Sequence, residues 1–152
     1  MTAKTPVFVD TNILIQLHVI TAIKHIQIKN AFQKLLNSGY EIWISRQVMR
    51  EYTSVLTRPQ PYAQPLPIHE LAIQLRAFEK QYQIADETLA VTTQLCYLMD
   101  NFLFAGKQVH DANIVATMQA YGISTIFTLN DVDFNRFQSL ITIITLDQLE
   151  KM

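Results

Sequence analysis

Four acidic residues far apart in the chain each lie just after a predicted strand or on a predicted helix that follows one. They are Asp10, Glu51, Asp111 and Asp133. Open α/β sheets bind ligands at the edge where their strands end, so a parallel sheet would gather these side chains into one pocket. Clustered carboxylates need a cation to offset their repulsion, and hard oxygen ligands select Mg²⁺ or Mn²⁺. The pattern predicts a metal-dependent site that cleaves phosphodiester bonds.

The first acid belongs to the segment Val7–Asn12, in which a carboxylate directly follows an apolar run. A buried strand would fix the orientation of Asp10 before any metal binds. Thr11 and Asn12 are placed to hydrogen-bond metal-bound waters or to hold the turn. An Asp after a strand is about as often a simple helix cap, so this segment alone is a weak signal.

The second acid lies in the middle of a predicted helix. The apolar stripe of residues 48–56 places Glu51 at the edge of the buried face of that helix. A helical Glu at such a position is more often solvated than functional. Arg50 and Arg58 are candidates for contacts with phosphate, although most arginines of this kind lie on the surface.

The third acid lies in the more specific segment His110–Ala116, where Asp111 is predicted to open a helix. The helix dipole favours an Asp there with or without a metal. Asn113 is a candidate for orienting the substrate. His110 lies beside the predicted pocket, where a structural role is commoner than a catalytic one.

The fourth acid lies in the segment Thr128–Phe134, which holds two Asp residues and one Asn directly after an apolar run. Turns favour both residue types, so composition alone does not separate a turn from a site. Asn130 and Asp133 are the candidates for the inward-pointing side chain, and Asp131 is the weaker one. Without a metal, each carboxylate in such a cluster is predicted to raise the pKa of the others.

Strand-like and helix-like segments alternate along the chain. This alternation predicts right-handed βαβ units and one three-layer α/β/α domain over residues 1–152, with a central parallel sheet. The predicted strands are 6–10, 41–45, 125–129 and 140–146, with a short edge strand at 83–86, and the main predicted helices are 13–17, 22–37, 46–56, 68–82, 87–104 and 111–121.

Composition restricts the class of protein. Of 152 residues, 49% are hydrophobic, which is typical of a folded domain with a core. No apolar stretch approaches the ~18–20 residues of a membrane span, and no signal-peptide core is visible, so a cytoplasmic protein without membrane partners is expected. Cys96 is the only cysteine, and its apolar helical surroundings predict a buried structural thiol.

Charge is unevenly distributed although the net charge is only −1. Residues 1–58 hold seven Lys or Arg against three Asp or Glu, and residues 59–152 hold five against ten. A basic rim beside an acidic pocket would suit an anionic polymer held over metal ions. Solvated charges without a role explain the same numbers equally well, so charge does not decide the function.

Taken in order, the motifs resemble those of the PIN-domain nucleases, and most closely the VapC-like ribonuclease toxins of toxin–antitoxin modules. The resemblance covers nearly the whole chain. The segments that carry it are Phe8–Asn12, Ser45 followed by Glu51, Val109–Ala116, Gly122–Ile123 and Thr128–Phe134.

The resemblance implies a sheet of about five parallel strands and an acidic pocket that binds one or two Mg²⁺ or Mn²⁺ ions. Asp10, Glu51 and Asp111 match the three principal acids of the family. The fourth acid falls in the last motif, where Asn130 stands in place of an Asp found in some relatives and Asp133 precedes a Phe as in many. The resemblance further implies an RNA substrate, an antitoxin protein as partner, and a homodimer.

The predicted function is therefore a metal-dependent endoribonuclease, the toxin of a toxin–antitoxin module. Two alternatives within the family are an inactive PIN-like binding module and a PIN nuclease of RNA processing. A phosphoryl-transfer protein of the haloacid-dehalogenase or receiver type fits less well. Asp10, Glu51, Asp111 and Asp133 are the predicted catalytic and metal-binding residues, Thr11, Asn12, Asn113, Thr128, Asn130 and Asp131 the supporting ones, and Arg50, Arg58 and His110 the candidates for RNA contact.

Overall fold

A computed structural model of the chain describes residues 3–152. This part of the chain forms five strands, eight α-helices and one 3₁₀ turn. In chain order the elements are β1 (Thr5–Val9), α1 (Thr11–His18), α2 (His25–Asn37), β2 (Tyr40–Ser45), α3 (Arg46–Leu56), α4 (Ile68–Gln81), β3 (Gln83–Ala85), α5 (Leu89–Asn101), α6 (Gln108–Ala120), β4 (Thr125–Phe127), α7 (Asp131–Phe134), the 3₁₀ turn (Asn135–Phe137), β5 (Thr142–Ile144) and α8 (Leu146–Glu150).

The five strands form one sheet in the order β3–β2–β1–β4–β5, and every neighbouring pair is parallel. From β1 the chain adds β2 and β3 on one side, then crosses over to add β4 and β5 on the other. The direction of winding therefore reverses between β1 and β4, and such a point opens a crevice at the carboxyl ends of the two strands. The predicted α/β fold with a central parallel sheet is confirmed, including the short edge strand.

The centre of the sheet is buried on both faces. Val7, Phe8 and Val9 of β1 are fully inaccessible to solvent, as are Ile126 and Phe127 of β4. Burial of each large apolar side chain contributes about 1.5–3 kcal/mol, so these strands are firmly held against the helices on either side. This rigid pair of strands carries two of the segments predicted to bear acids.

Two predicted boundaries are wrong in ways that bear on those segments. The strand at 125–129 ends at Phe127, because the N–H of Leu129 donates to Oδ1 of Asn12 (3.2 Å) instead of to a neighbouring strand. Helix α6 begins at Gln108 instead of Asp111, since Oε1 of Gln108 accepts the N–H of Ala105 (3.0 Å) and closes the turn before the helix. Asp111 therefore lies in the first turn and does not open the helix.

The predicted burial of Cys96 is also wrong, because this thiol is exposed. Helix α5 buries Val91 and Leu98. Cys96 lies two positions before Leu98 and so points away from that stripe. Helix α5 has apolar residues on more than one side, so its sequence does not indicate which side is buried. Within residues 3–152, no helix is long and apolar enough to cross a membrane.

Gly122 forms the turn that leads from α6 into β4. Its φ is +68°, in the left-handed region that favours glycine. The N–H of Ile123 donates to the carbonyl of Met118 (2.8 Å) and that of Gly122 to the carbonyl of Gln119 (3.3 Å), which is the double hydrogen-bond pattern of a Schellman cap. Glycine at this position therefore sets the direction in which the chain enters the sheet.

Gly122→Ala is expected to lower the free energy of unfolding by about 1–2 kcal/mol, because an L residue pays a steric penalty in the left-handed conformation. The cost is conformational, since an added Cβ would meet no atom within 4 Å. Urea unfolding followed by circular dichroism measures the change. Gly122→Asn is the control and should lose less, because Asn tolerates this conformation. Equal losses for both variants would contradict the explanation.

Candidate acidic site

An open cavity of about 330 Å³ lies where β1 and β4 end. All four predicted acids and the predicted Asn130 line it. The structure therefore brings together side chains that are separated by up to 123 positions in the sequence. The lining residues are Asp10, Thr11, Asn12, Ile15, Glu51, Ser54, Val55, Asp111, Asn130 and Asp133.

Asp10 is the most buried acid, with 7% of its surface exposed. Its backbone N–H donates to the carbonyl of Phe127 (3.1 Å), which locks it to β4. Its Oδ1 accepts the N–H of Thr11 (2.8 Å) and so caps α1. Its Oδ2 accepts the hydroxyl of Thr128 (2.8 Å) and, more weakly, the amide of Asn12 (3.4 Å). These contacts fix the direction in which the carboxylate points.

Two of the acids have strongly perturbed pKa values. Burial, followed by the charges of Glu51 and Asp133, raises the pKa of Asp10 to about 6, against the lowering effect of the hydrogen bonds from Thr128 and Thr11. The pKa of Asp111 is raised to about 6 as well, first by burial and then by the other three acids. The predicted rise is confirmed for both, although desolvation contributes more than mutual repulsion.

Glu51 reaches the cavity from the middle of α3 and is half-buried. Its Oε2 accepts the hydroxyl of Thr11 (2.8 Å), and its Oε1 accepts the amide of Gln47 (2.7 Å). One donor thus holds each carboxylate oxygen. Ser45 caps the helix by accepting the N–H of Val48 (3.2 Å), so the start of α3, and with it the position of Glu51, is set by the end of β2.

The segment after β4 supplies the remaining polar wall. The hydroxyl of Thr128 accepts the N–H of Asn130 (3.0 Å) while donating to Asp10, which ties this turn to the buried acid. Asn130 and Asp133 are exposed at the cavity wall. Asp131 does not line this cavity but borders a different hollow beside β5.

Five other predicted residues also lie outside the cavity lining. Thr128 is linked to it through its hydrogen bond to Asp10 (2.8 Å). Asn113 is linked to it indirectly, because its amide donates to Oε1 of Gln47 (2.7 Å). Arg50 is exposed and pairs with Glu87 (3.7 Å). Arg58 is exposed and its Nε donates to a helix carbonyl, and the side chain of His110 is also exposed. Their roles remain predictions.

Sequence reasoning missed two polar side chains near the acids. Gln47 is buried between α3 and α6, and its position one helical turn before Glu51 was the only signal of its role. The positive charge of Arg136 lowers the pKa of Asp111, against the larger effects that raise it. Its guanidinium is held by the carbonyl of Leu103 (2.9 Å) and by Gln108 (3.0 Å). Nothing in the sequence around Arg136 indicates that it lies beside an acid.

The donor set of the cavity suits a hard divalent cation, because it consists of carboxylate, amide and hydroxyl oxygens. Among residues 3–152, no three Asp, Glu, His or Cys side chains stand close enough together to hold a metal ion by themselves. This arrangement is compatible with Mg²⁺, which keeps several waters and uses one or two carboxylates together with substrate phosphate. Burial and the neighbouring acids raise the pKa values of Asp10 and Asp111, so both carboxylates would be stabilised in their ionised form by a cation in the cavity.

Comparison with known proteins agrees with this arrangement. The family model of the PIN domain matches residues 7–140. No curated protein matches the chain. Among solved structures, the VapBC2 complex of Rickettsia felis, bound to a DNA fragment from its promoter, has 20% identity and a TM-score of 0.64, and the match covers 93% of this chain and 98% of that one.

Two further structures are similar. VapC20 of Mycobacterium tuberculosis, a toxin that cleaves the sarcin-ricin loop, has 20% identity and a TM-score of 0.57, with 79% of this chain and 86% of that one covered. A toxin–antitoxin complex of Klebsiella pneumoniae has 19% identity and a TM-score of 0.62, with 92% and 97% covered. At such identities the likeness demonstrates a shared fold.

Metal-free Asp10→Asn is expected to be more stable than the unmodified chain at pH 7, by about 1–2 kcal/mol. The pKa of Asp10 is about 6 in the folded chain, against the usual 3.8, so the ionised carboxylate is less stable in the folded chain than in the unfolded one. The folded chain therefore holds this proton more tightly, and its stability rises as the pH falls from 7 through 6 towards 4. The advantage of the variant should shrink over that range.

Urea unfolding in the presence of a chelator, at several pH values between 4 and 7, tests this expectation. The difference between the two proteins is the quantity to follow, because His18 acts in the opposite direction. Burial lowers the pKa of His18 to about 4, so its contribution to stability is lost as the pH falls through the same range. A variant that is less stable than the unmodified chain at pH 7 would contradict the assignment of an unfavourable buried charge.

Proposed function

Since the chain belongs to the PIN domain family, as the match over residues 7–140 shows, we propose that it is a metal-dependent endoribonuclease. We further propose that it is the toxin component of a toxin–antitoxin module. The observation that carries the proposal is the convergence of Asp10, Glu51, Asp111 and Asp133 on one cavity at the point where the winding of the sheet reverses. A phosphodiester cannot approach four carboxylates unless a cation offsets their charge, so the cavity requires a divalent ion to act on RNA.

Mg²⁺ or Mn²⁺ is the proposed cofactor. Asp10 and Asp111 would hold it directly, and Glu51 and Asp133 would act through metal-bound water. When bound, the ion supplies activation of the attacking water and neutralises the charge that develops on the phosphoryl group. The all-oxygen donor set supports this class of ion over softer metals, which select thiolate or imidazole.

The side chains of the chain itself provide orientation. The hydroxyl of Thr128 and the backbone N–H of Thr11 prevent the carboxylate of Asp10 from rotating out of the cavity, so little reorganisation is needed when the ion and substrate arrive. Asn12 and Asn130 offer amide groups at the cavity wall, where they can place water or a phosphate oxygen. Hydrolysis forms one P–O bond to the water oxygen and breaks one to a ribose oxygen. The attacking water gives up one proton to solvent, and bulk water supplies the proton for the leaving ribose oxygen, because the cavity is open to solvent.

The proposed partner is an antitoxin protein. The Klebsiella pneumoniae neighbour was solved as a toxin–antitoxin complex, and the Mycobacterium tuberculosis neighbour cleaves the sarcin-ricin loop, which supports an RNA target for this chain. An inhibitor that inserts an Arg or Lys side chain into the cavity would form charge-assisted hydrogen bonds with its carboxylates. A cytoplasmic location, expected from the sequence, and a homodimer, implied by the family resemblance, are part of this proposal.

Purified chain is expected to cleave cellular RNA in the presence of Mn²⁺ and to lose this activity with a chelator. Asp10→Asn and Asp111→Asn should each reduce the rate at least 100-fold, because each removes a charge that holds the ion. Transfer RNA and ribosomal RNA form the substrate panel, and sequencing of the fragment ends measures where cleavage occurs.

Asp100→Asn is the matched control, because it makes the same substitution at an exposed position on α5 outside the cavity. It should cleave at the rate of the unmodified chain. Cleavage that survives both the chelator and Asp10→Asn would contradict the proposed mechanism. No cleavage of any RNA by folded protein would favour the inactive binding module instead.

A further inference from the structure

We propose that Gln47 is a positioning residue, which holds the carboxylate of Glu51 and sets its distance from Asp111. The inference rests on the proposed function, since it treats Glu51 and Asp111 as parts of one metal site. It concerns a residue that touches neither the ion nor the substrate. The supporting observation is a set of three hydrogen bonds that joins two helices beside the cavity.

Gln47 is buried, with 6% of its surface exposed, and both the nitrogen and the oxygen of its carboxamide form hydrogen bonds. Its Nε2 donates to Oε1 of Glu51 (2.7 Å) and to the carbonyl of His110 (2.8 Å). Its Oε1 accepts the amide of Asn113 (2.7 Å). Both N–H groups and the oxygen are therefore committed, and only a carboxamide of this length offers two donors and an acceptor in that arrangement.

The first bond restrains Glu51. Its carboxylate faces the negative charges of Asp10 and Asp111 across the cavity. A flexible Glu side chain would turn towards solvent to escape this repulsion unless it were held. Gln47 from the preceding turn of α3 holds one carboxylate oxygen, and Thr11 from α1 holds the other (2.8 Å). The two donors together fix the plane of the carboxylate as well as its position.

The other two bonds tie α3 to α6. They reach the carbonyl of His110 and the side chain of Asn113, which flank Asp111 on either side in the sequence. Gln47 thus links the helix that carries one acid of the proposed site to the turn that carries another. Asn113 extends the link to Glu87 (2.9 Å), which anchors the same turn to the segment before α5. One side chain therefore controls the separation of two acids from different helices.

Gln47→Met keeps the length and burial of the side chain but removes all three hydrogen bonds. Loss of a partner that orients a metal ligand typically weakens metal binding 10- to 100-fold. We expect Mn²⁺ to bind this variant about 10-fold more weakly than the unmodified chain. Isothermal titration calorimetry with MnCl₂ on the full chain, without RNA, measures the affinity.

A double-mutant cycle separates positioning from a general structural role. The four proteins are the unmodified chain, Gln47→Met, Glu51→Gln, and the combination of both. If Gln47 acts through the carboxylate of Glu51, its replacement should cause little further loss of Mn²⁺ affinity once that carboxylate is gone. Losses that multiply in the combined variant would overturn the proposal, as would unchanged affinity in Gln47→Met alone.

Tyr52→Phe is the matched control. It removes another hydrogen bond of α3, from the hydroxyl of Tyr52 to Oε1 of Gln74 (2.5 Å), outside the lining of the acidic cavity. This variant should lower the melting temperature and leave the Mn²⁺ affinity unchanged. A 10-fold loss in Tyr52→Phe would show that any weakening of α3 has the same effect, and would overturn the specific role of Gln47.

One further variant and one further comparison distinguish the possible reasons for a negative result. Gln47→Asn retains a carboxamide that is one carbon too short to reach its partners, and it takes the place of Gln47→Met in the cycle if that variant does not fold. If the unmodified chain itself binds no Mn²⁺, the proposed metal-dependent function fails, and the positioning role falls with it. If the unmodified chain binds Mn²⁺ and Gln47→Met binds it equally well, only the role of Gln47 is overturned.

Discussion

Asp10 is an ionisable group placed where burial and neighbouring charge both oppose its ionisation. Folding nevertheless keeps it there, because it follows the fully buried residues 7–9 of β1 and its backbone N–H is hydrogen-bonded to β4. The free energy gained from the apolar contacts of these two strands outweighs the cost of burying one ionised carboxylate. Three features of the region reduce the free-energy cost of ionising Asp10. They are the hydrogen bond from the hydroxyl of Thr128, the N–H of Thr11 that Asp10 caps at the start of α1, and the openness of the cavity to solvent.

The acids differ in how they are held, and this divides the region into a rigid and an adaptable part. Asp10 and Glu51 accept hydrogen bonds on both oxygens. Asn130 and Asp133 lie exposed after β4, at the start of α7 and within it. Such a division suits a site that binds a large polymer over a small ion. The rigid side, close to the sheet, would hold the ion, and the exposed side would face the polymer.

Much of the fold and the identity of the acids were predictable because their signals are local. A continuous apolar run that ends in Asp, such as Val7–Asp10, implies a buried parallel strand and a group at its carboxyl end. The contacts of Gln47 and Arg136 were not predictable, because they depend on which helices lie side by side. Cys96 was misjudged for a related reason: an apolar helix can be buried on one side only, and the neighbour that decides which side is distant in sequence.

The order of the strands governs when the acidic cavity comes into existence. Strand β1 lies next to β4, whose residues are more than 115 positions further along the chain, so Phe8 finds its partner Ile126 only after most of the chain has been made. Asp111 and Asp133 also belong to that late portion. During synthesis on the ribosome, the emerging chain therefore holds Asp10 and Glu51 with neither of the other two acids. A growing chain is without the complete cavity until residues 111–133 have emerged, so the four acids cannot act together on RNA before that point of translation.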